Sequence, residues 1–169
     1  MYMKILNGII EIENIEKFLE YLNNISKKYK VAIQALDANK IAGERHIQFA
    51  VEKAIRSMDL GRNIANTLSL EILLYASGKR QINKALSIGV SRGKNNIALV
   101  VVGDSNSEDF AISELKKLIN EKPVIEYTEN KKTAIMEFFD ITKEEINAVG
   151  EEKIPELVLE RIALVDVMK

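Results

Sequence analysis

Ile97-Ala98-Leu99-Val100-Val101-Val102 is the clearest strand in the sequence, and reading it as the central strand of a sheet decides the fold. Before it, Ile88 to Asn96 is a glycine-rich, basic turn region. After it, Gly103-Asp104-Ser105-Asn106-Ser107 turns the chain into a helix that Ser107, Glu108 and Asp109 begin and that Phe110, Ile112, Leu115, Leu118 and Ile119 line. Working outward, Tyr2 to Ile12 reads as a strand with a bulge or tight hairpin at Asn7-Gly8. Val31 to Asp37 reads as a short buried strand, and Pro123 to Tyr127 as an edge strand with its proline at the start.

Helices fill the intervals. Asn14 caps one carrying Ile15, Phe18, Leu19, Leu22 and Ile25, and Glu44 opens another that ends before Gly61. In the second, Ala50 and Ala54 lie one turn apart and leave room for close packing. Thr128 to Asp140 suits a short helix or the end of a loop. Thr142 and Glu145 form a capping-box pattern, Gly150 stops that helix, and Pro155 opens a last helix that is apolar nearly all round. Such a helix needs two surfaces to cover it, of which one is a candidate partner interface. Strands interleaved with helices predict an α/β or α+β fold. The expectation is a single domain over 1–169, with a central, mostly antiparallel or mixed sheet flanked by helices.

Composition bounds the function. The 169 residues are 47% apolar and 29% charged, as in an ordinary globular chain, with no cysteine and one histidine. Disulfides and thiolate metal sites are therefore excluded, and no metal or cofactor is expected. No apolar run approaches the ~18 residues of a membrane span, and the first residues lack signal-peptide organisation, so the expectation is cytoplasmic with no membrane partner. The net charge of −1 hides an asymmetry. Residues 56–94 hold seven Lys and Arg against two acids, whereas residues 104–169 hold nine against sixteen. A basic middle attracts polyanions and an acidic end suits a basic partner, although both can be plain solvated faces.

The basic segment contains the most informative junction. Asn66 or Thr67 can cap a helix that runs through Leu68, Ile72, Leu73 and Tyr75, Ser77-Gly78 stops it, and Lys79-Arg80 project from the stop. Gln81 to Leu86 then begins a further short helix whose first N–H groups can face a phosphate. Lys79, Arg80 and Lys84 can neutralise phosphates, and Gln81 can contact bases or sugars. Catalytic patterns are missing: Gly78-Lys79-Arg80 lacks the upstream glycine of a phosphate loop, and Glu44-Arg45-His46 lacks the second histidine of a zinc helix. His46 therefore reads as structural or partner-contacting, and Asp37 as a turn residue. The alternative is a small enzyme using Asp37 or His46 on an anionic substrate held at the 78–80 turn.

Ile41-Ala42-Gly43-Glu44-Arg45-His46, the alanine-spaced helix, and Asn66 through Ile82 with Ala85 and Gly89-Val90 together resemble one known family. It is the kinase-binding subunit family of the KEOPS complex (CGI-121/TPRKB), in its archaeal type. The resemblance implies a non-catalytic subunit of the machinery that makes threonylcarbamoyladenosine at position 37 of tRNA. It implies binding to the amino-terminal lobe of the small atypical kinase-ATPase, indirect contact with the threonylcarbamoyl-transferase subunit, and recruitment of tRNA by its 3′ CCA end. Animal and fungal relatives have an uncharged stretch where this chain has Gly78-Lys79-Arg80, so the basic residues mark the tRNA-binding type. Carried onto this chain, the tRNA site comprises Lys79, Arg80, Gln81, Lys84 and Asn66. The kinase surface comprises Leu157, Arg161, Leu164 and Met168 of the last helix, with Val51 and Ile55 of the alanine-spaced helix.

Overall fold

Two strands, Tyr2–Ile12 and Ala32–Asp37, both pair with the strand that contains residues 97–102. The structure, a computed structural model, describes residues 1–104 and 106–167. β1 (Tyr2–Ile12), β2 (Ala32–Asp37), β3 (Gly93–Gly103) and β4 (Asn120–Glu121) form a sheet in the order β2-β3-β1-β4, and every neighbouring pair is antiparallel. The fold is α+β. β3 lies between β1 and β2 and is buried from Ile97 to Val102, which is why its sequence is continuously apolar rather than alternating. It starts at Gly93, inside the region expected to be turn, because Asn95 holds the preceding chain. Its amide donates to Ser91 O and Gly93 O, and its carbonyl accepts from Ser91 N–H.

The chain folds as two compact units. The first gathers Met1–Ala38 and Gly89–Val124 and contains the sheet with α1 (Ile15–Tyr29) and α5 (Ser107–Leu115). Leu6, Ile10, Ile33, Leu99 and Val101 meet Leu22, Ile25, Ala111 and Leu115 in its core. Each fully buried aliphatic chain of this kind contributes about 1.5–3 kcal/mol. The Asn14 side chain accepts from Lys17 N–H, as its cap position requires. Asn7-Gly8 makes neither bulge nor hairpin: β1 pairs with β3 without interruption, and Gly8 stands opposite Glu121. A Cβ on Gly8 would collide with the Asn120 carbonyl, so this glycine serves close approach. Pro123–Tyr127 forms no strand. The edge is the two-residue β4, with Val124 N–H tied to the Asn7 side chain at 2.8 Å. The helix after β3 ends at Leu115, short of Ile119, and Phe110 on it is exposed.

The second unit gathers Asn39–Ile88 with the stretch from Ile125 onward. α2 (Glu44–Asp59) packs on α3 (Leu68–Ser77) and on α8 (Ile154–Val167), with Ala50 and Ala54 fully buried at the close approach. α4 (Ile82–Ala85), α6 (Lys132–Phe139) and α7 (Lys143–Val149) complete it, so the ambiguous 128–140 segment is largely helical. α7 carries the full capping box between Thr142 and Glu145. Thr67 caps α3 by accepting from Leu70 N–H. Glu71, in the first turn of α3, is fully buried. Its carboxylate accepts from Ile64 N–H at 3.2 and 3.0 Å and from the Ser57 hydroxyl, fastening the 62–65 connector to α3. No helix of the described residues is long and apolar enough to cross a membrane.

Candidate functional site

The end of α3 is built to stop. Gly78 adopts φ +66, the left-handed region that favours glycine, and its N–H donates to Tyr75 O. Ser77 locks the stop, since its hydroxyl donates to Leu74 O at 2.7 Å and accepts from Lys79 N–H at 3.0 Å. Gly78 also packs on Arg161, whose Cβ would lie 3.4 Å from an added methyl. A cleft of about 580 Å³ opens here, lined by Lys79, Arg80, Gln81 and Lys84 together with Asp140, Arg161 and Leu164. Four of the five residues expected to bind RNA therefore share one cavity.

The fifth does not. Asn66 precedes the cap of α3, and the ten residues of that helix set it roughly 15 Å from the stop. The cationic side chains also divide into two kinds. Lys79 donates to Phe138 O at 2.6 Å, lies 4.8 Å from the centre of the Phe138 ring, and is 3.8 Å from Asp140. It is anchored at the carboxyl end of α6, where the helix dipole favours a cation. Arg80 and Lys84 are exposed. The phosphate-receiving helix start is modest, because α4 is a single turn of four residues.

Arg161, expected on the kinase surface, is a staple within this unit. Its Nε donates to Phe139 O at 3.1 Å and Nη2 to Asp140 O at 3.0 Å. Nη1 and Nη2 take both oxygens of Glu145 at 2.8 and 2.6 Å. One guanidinium thus joins the last carbonyls of α6 to the capping carboxylate of α7. The Arg161 guanidinium, with Thr142 N–H second, holds the Glu145 carboxyl down at about 2. Asp140 supports the same junction with φ +54, a conformation its short polar side chain tolerates.

The other expected partner contacts also sort by burial. Val51 is 3% exposed and Leu157 8%, so both are core, turned inward by the packing of α2 and α8. Ile55 is half-buried and Leu164 is 43% exposed. Met168 lies outside the described residues. His46 is 1% exposed, accepts from Ala42 N–H at Nδ1 (3.0 Å), and donates from Nε2 to Ala76 O (2.8 Å). The accepted bond at Nδ1 places the proton on Nε2. Burial holds its pKa down at about 4, and its ring meets the Phe139 edge 5.5 Å away. His46 thus supports the floor of the cleft from behind, and both nitrogens are spent on backbone groups. Asp37, the other residue of the enzyme alternative, ends β2 in the first unit. Among the described residues no group of three or more metal-ligating side chains is placed to hold an ion.

Comparison with known proteins decides the family. Residues 9–166 match the family described as kinase binding protein CGI-121. The chain belongs to that family. Within the CGI-121 family, it is 28% identical over 151 residues to the regulatory protein Cgi121 of Methanocaldococcus jannaschii, covering 88% of this chain and 92% of the relative. A shorter match, 41% identical over 68 residues, is to the KEOPS complex subunit Cgi121 of Pyrococcus abyssi, covering 38% of this chain and 40% of that protein.

The residues that the sequence reading missed were Asp140, which was not singled out, and Arg161 in its actual role, whereas His46 is structural, one of the two roles expected of it. A sequence signal existed for one of them. An arginine on the acidic, apolar last helix asks for a carboxylate, and the Glu145 of a recognisable capping box supplies it.

Proposed function

We propose that this chain is the non-catalytic, kinase-binding subunit of a KEOPS complex acting in tRNA threonylcarbamoyladenosine modification, and that the cleft at the end of α3 receives the 3′ CCA end of tRNA. It binds the amino-terminal lobe of the small atypical kinase and reaches the threonylcarbamoyl-transferase subunit only through it. Membership of the kinase-binding family over 9–166 carries the first part, supported by the KEOPS name of the Pyrococcus abyssi relative. The second part is supported by one observation: Lys79, Arg80, Gln81 and Lys84 line a single cleft together with an apolar residue, Leu164.

The cleft suits a nucleic-acid end chemically. Arg80 and Lys84 supply charge for terminal phosphates, the Gln81 amide can donate and accept at a base edge, and Leu164 offers an apolar surface to a ring. Lys79 contributes its field while holding Phe138 in place.

The test compares tRNA with and without its three terminal nucleotides on the wild type and on Arg80→Glu/Lys84→Glu, across a salt series. Lys79 is left alone because its loss also frees the α6 carboxyl end. Removing the CCA should weaken wild-type binding strongly and the variant's hardly at all. If the two single-strand contacts are lost, the slope of log affinity against log salt should fall by about 1.4. An unchanged slope in the variant, or equal binding of the trimmed tRNA to the wild type, would remove the cleft from the reading.

A further inference from the structure

A second basic feature lies at the other end of the same helical group. α2 closes in a tight turn: Leu60 N–H donates to Arg56 O, Gly61 N–H to Met58 O, and Arg62 N–H to Ser57 O at 2.9 Å. With Gly61 at φ +64, this 6→1 closure carries Arg62 back toward the last turn that holds Arg56. A cleft of about 280 Å³ forms there, lined by Lys53, Arg56, Arg62 and Asp166 with Leu60 and Val167. Three cations face one carboxylate. That carboxylate is already engaged, because Asp166 accepts from Lys53 at 2.8 Å and from the Tyr75 hydroxyl. Neither arginine side chain has an ion-pair or hydrogen-bond partner among the described residues.

The surroundings say what the arginines meet. Leu60 and Val167 are exposed at 57% and 76%, and Leu164, one turn back on α8, is exposed as well. Guanidinium groups rimmed by exposed aliphatic side chains have the composition of a protein–protein contact, where Arg supplies bidentate pairing and the apolar shoulders exclude water. A phosphate backbone has no use for the apolar shoulders.

We propose that the arginine pair Arg56 and Arg62 docks the kinase through carboxylates that the partner presents among apolar side chains, at the carboxyl ends of α2 and α8. This rests on the kinase-binding reading above and adds the place and the chemistry of recognition. The contact is electrostatically steered, so it weakens with salt. It leaves the cationic side of the RNA-end cleft open, since neither arginine lines that cleft and the two surfaces meet only at Leu164.

Calorimetric titration of the cognate KEOPS kinase into the wild type, Arg56→Glu/Arg62→Glu and Arg56→Lys/Arg62→Lys tests it, alongside tRNA binding and thermal unfolding. Charge reversal should weaken kinase binding about 100-fold at low salt, with the loss shrinking as salt rises, and the lysine variant should fall between. Melting temperature and tRNA affinity should change little, because both arginines are exposed. Kinase binding unchanged on charge reversal would overturn the proposal. So would a loss confined to tRNA, which would make the cleft a phosphate site. A wild type that fails to bind the kinase at all would instead remove the broader reading on which the proposal stands.

Discussion

Replacing Arg161 by glutamine separates a staple from a partner contact, and the structure gives the size of the effect. The substitution removes two bonds to α6 carbonyls and the two-pronged pair with Glu145. The Glu145 carboxyl is held down from its ordinary 4.5 to about 2 in the fold. At about 1.36 kcal/mol per unit this sets a ceiling of roughly 3.4 kcal/mol. Its side chain is 31% exposed, and Thr142 N–H keeps part of the lowering in the variant, so about 1–2 kcal/mol is the share that Arg161 carries. The abandoned carbonyls of Phe139 and Asp140 add about 1 kcal/mol. The expected loss is therefore about 2–3 kcal/mol, or a melting temperature lower by roughly 5–10 °C for a chain of this length.

The pH dependence has a definite sign. A carboxyl whose folded pKa is depressed stabilises the fold above its unfolded value, near 4.5, and loses that contribution as pH falls toward 2. Wild type and Arg161→Gln should therefore differ most near neutral pH, and the gap should shrink as pH falls from 4.5 toward 2 to the ~1 kcal/mol of the carbonyl bonds, read by urea unfolding across that range. A variant as stable as the wild type at neutral pH, with kinase binding abolished, would refute the staple and restore Arg161 to the partner surface. A stability gap independent of pH would show that the Glu145 pair contributes nothing and that packing carries the loss.

Two further substitutions probe the frame of the cleft. Gly78→Ala places a methyl in left-handed backbone and against Arg161, so it should cost about 1–2 kcal/mol in chemical unfolding and weaken tRNA binding by displacing Lys79 and Arg80. Glu71→Ala removes the acceptor of Ile64 N–H and one partner of the Ser57 hydroxyl, and should cost about 2–3 kcal/mol, whereas Glu71→Gln, which keeps one acceptor oxygen, should cost less. Equal losses for the two Glu71 variants would mean that volume rather than hydrogen bonding is what the site needs.

What the sequence made legible was whatever its own neighbours determine. Caps act over three residues, so Asn14 and the Thr142–Glu145 box could be read directly, as could β3 from its unbroken apolar run, and the cap of α3 could be narrowed to Asn66 or Thr67. Gly8 was misread because glycine in a strand has two uses, bending the strand or admitting a neighbour, and the neighbour is more than a hundred residues away. Pro123 suggested an edge strand. The edge pairing instead falls at Asn120–Glu121, ahead of the residue that lacks a donor. Glu71 and Arg161 carry charges that look solvated in a helical pattern, and only long-range partners turn them into a connector clasp and a helix staple. The cationic turn was legible as a place. The division of labour within it was not, because Lys79 looks the same in sequence whether its ammonium meets a phosphate or the Phe138 carbonyl.

The last helix joins the two proposed surfaces, and that decides which substitutions are informative. Arg161 and Leu164 border the cleft at the end of α3, while Asp166 and Val167 border the cleft at the end of α2. Six residues of helix separate Arg161 from Val167, roughly 9 Å. Any change that shifts α8 therefore reaches both sites, and Leu164→Glu, the obvious probe of the exposed face, would weaken RNA and kinase binding together without saying which contact it broke. The paired substitutions Arg80→Glu/Lys84→Glu and Arg56→Glu/Arg62→Glu sit on α4 and its approach, and on α2 and the turn after it, leaving α8 untouched. If RNA and kinase bind at the proposed places, each pair should impair one ligand and spare the other, and the quadruple variant should lose each ligand by the factor that its own pair produced. A pair that weakened both ligands, or a quadruple variant whose loss for either ligand differed from that of its own pair, would mean the two ligands draw on a common charge field, and the separation of the sites along α8 would have to be given up.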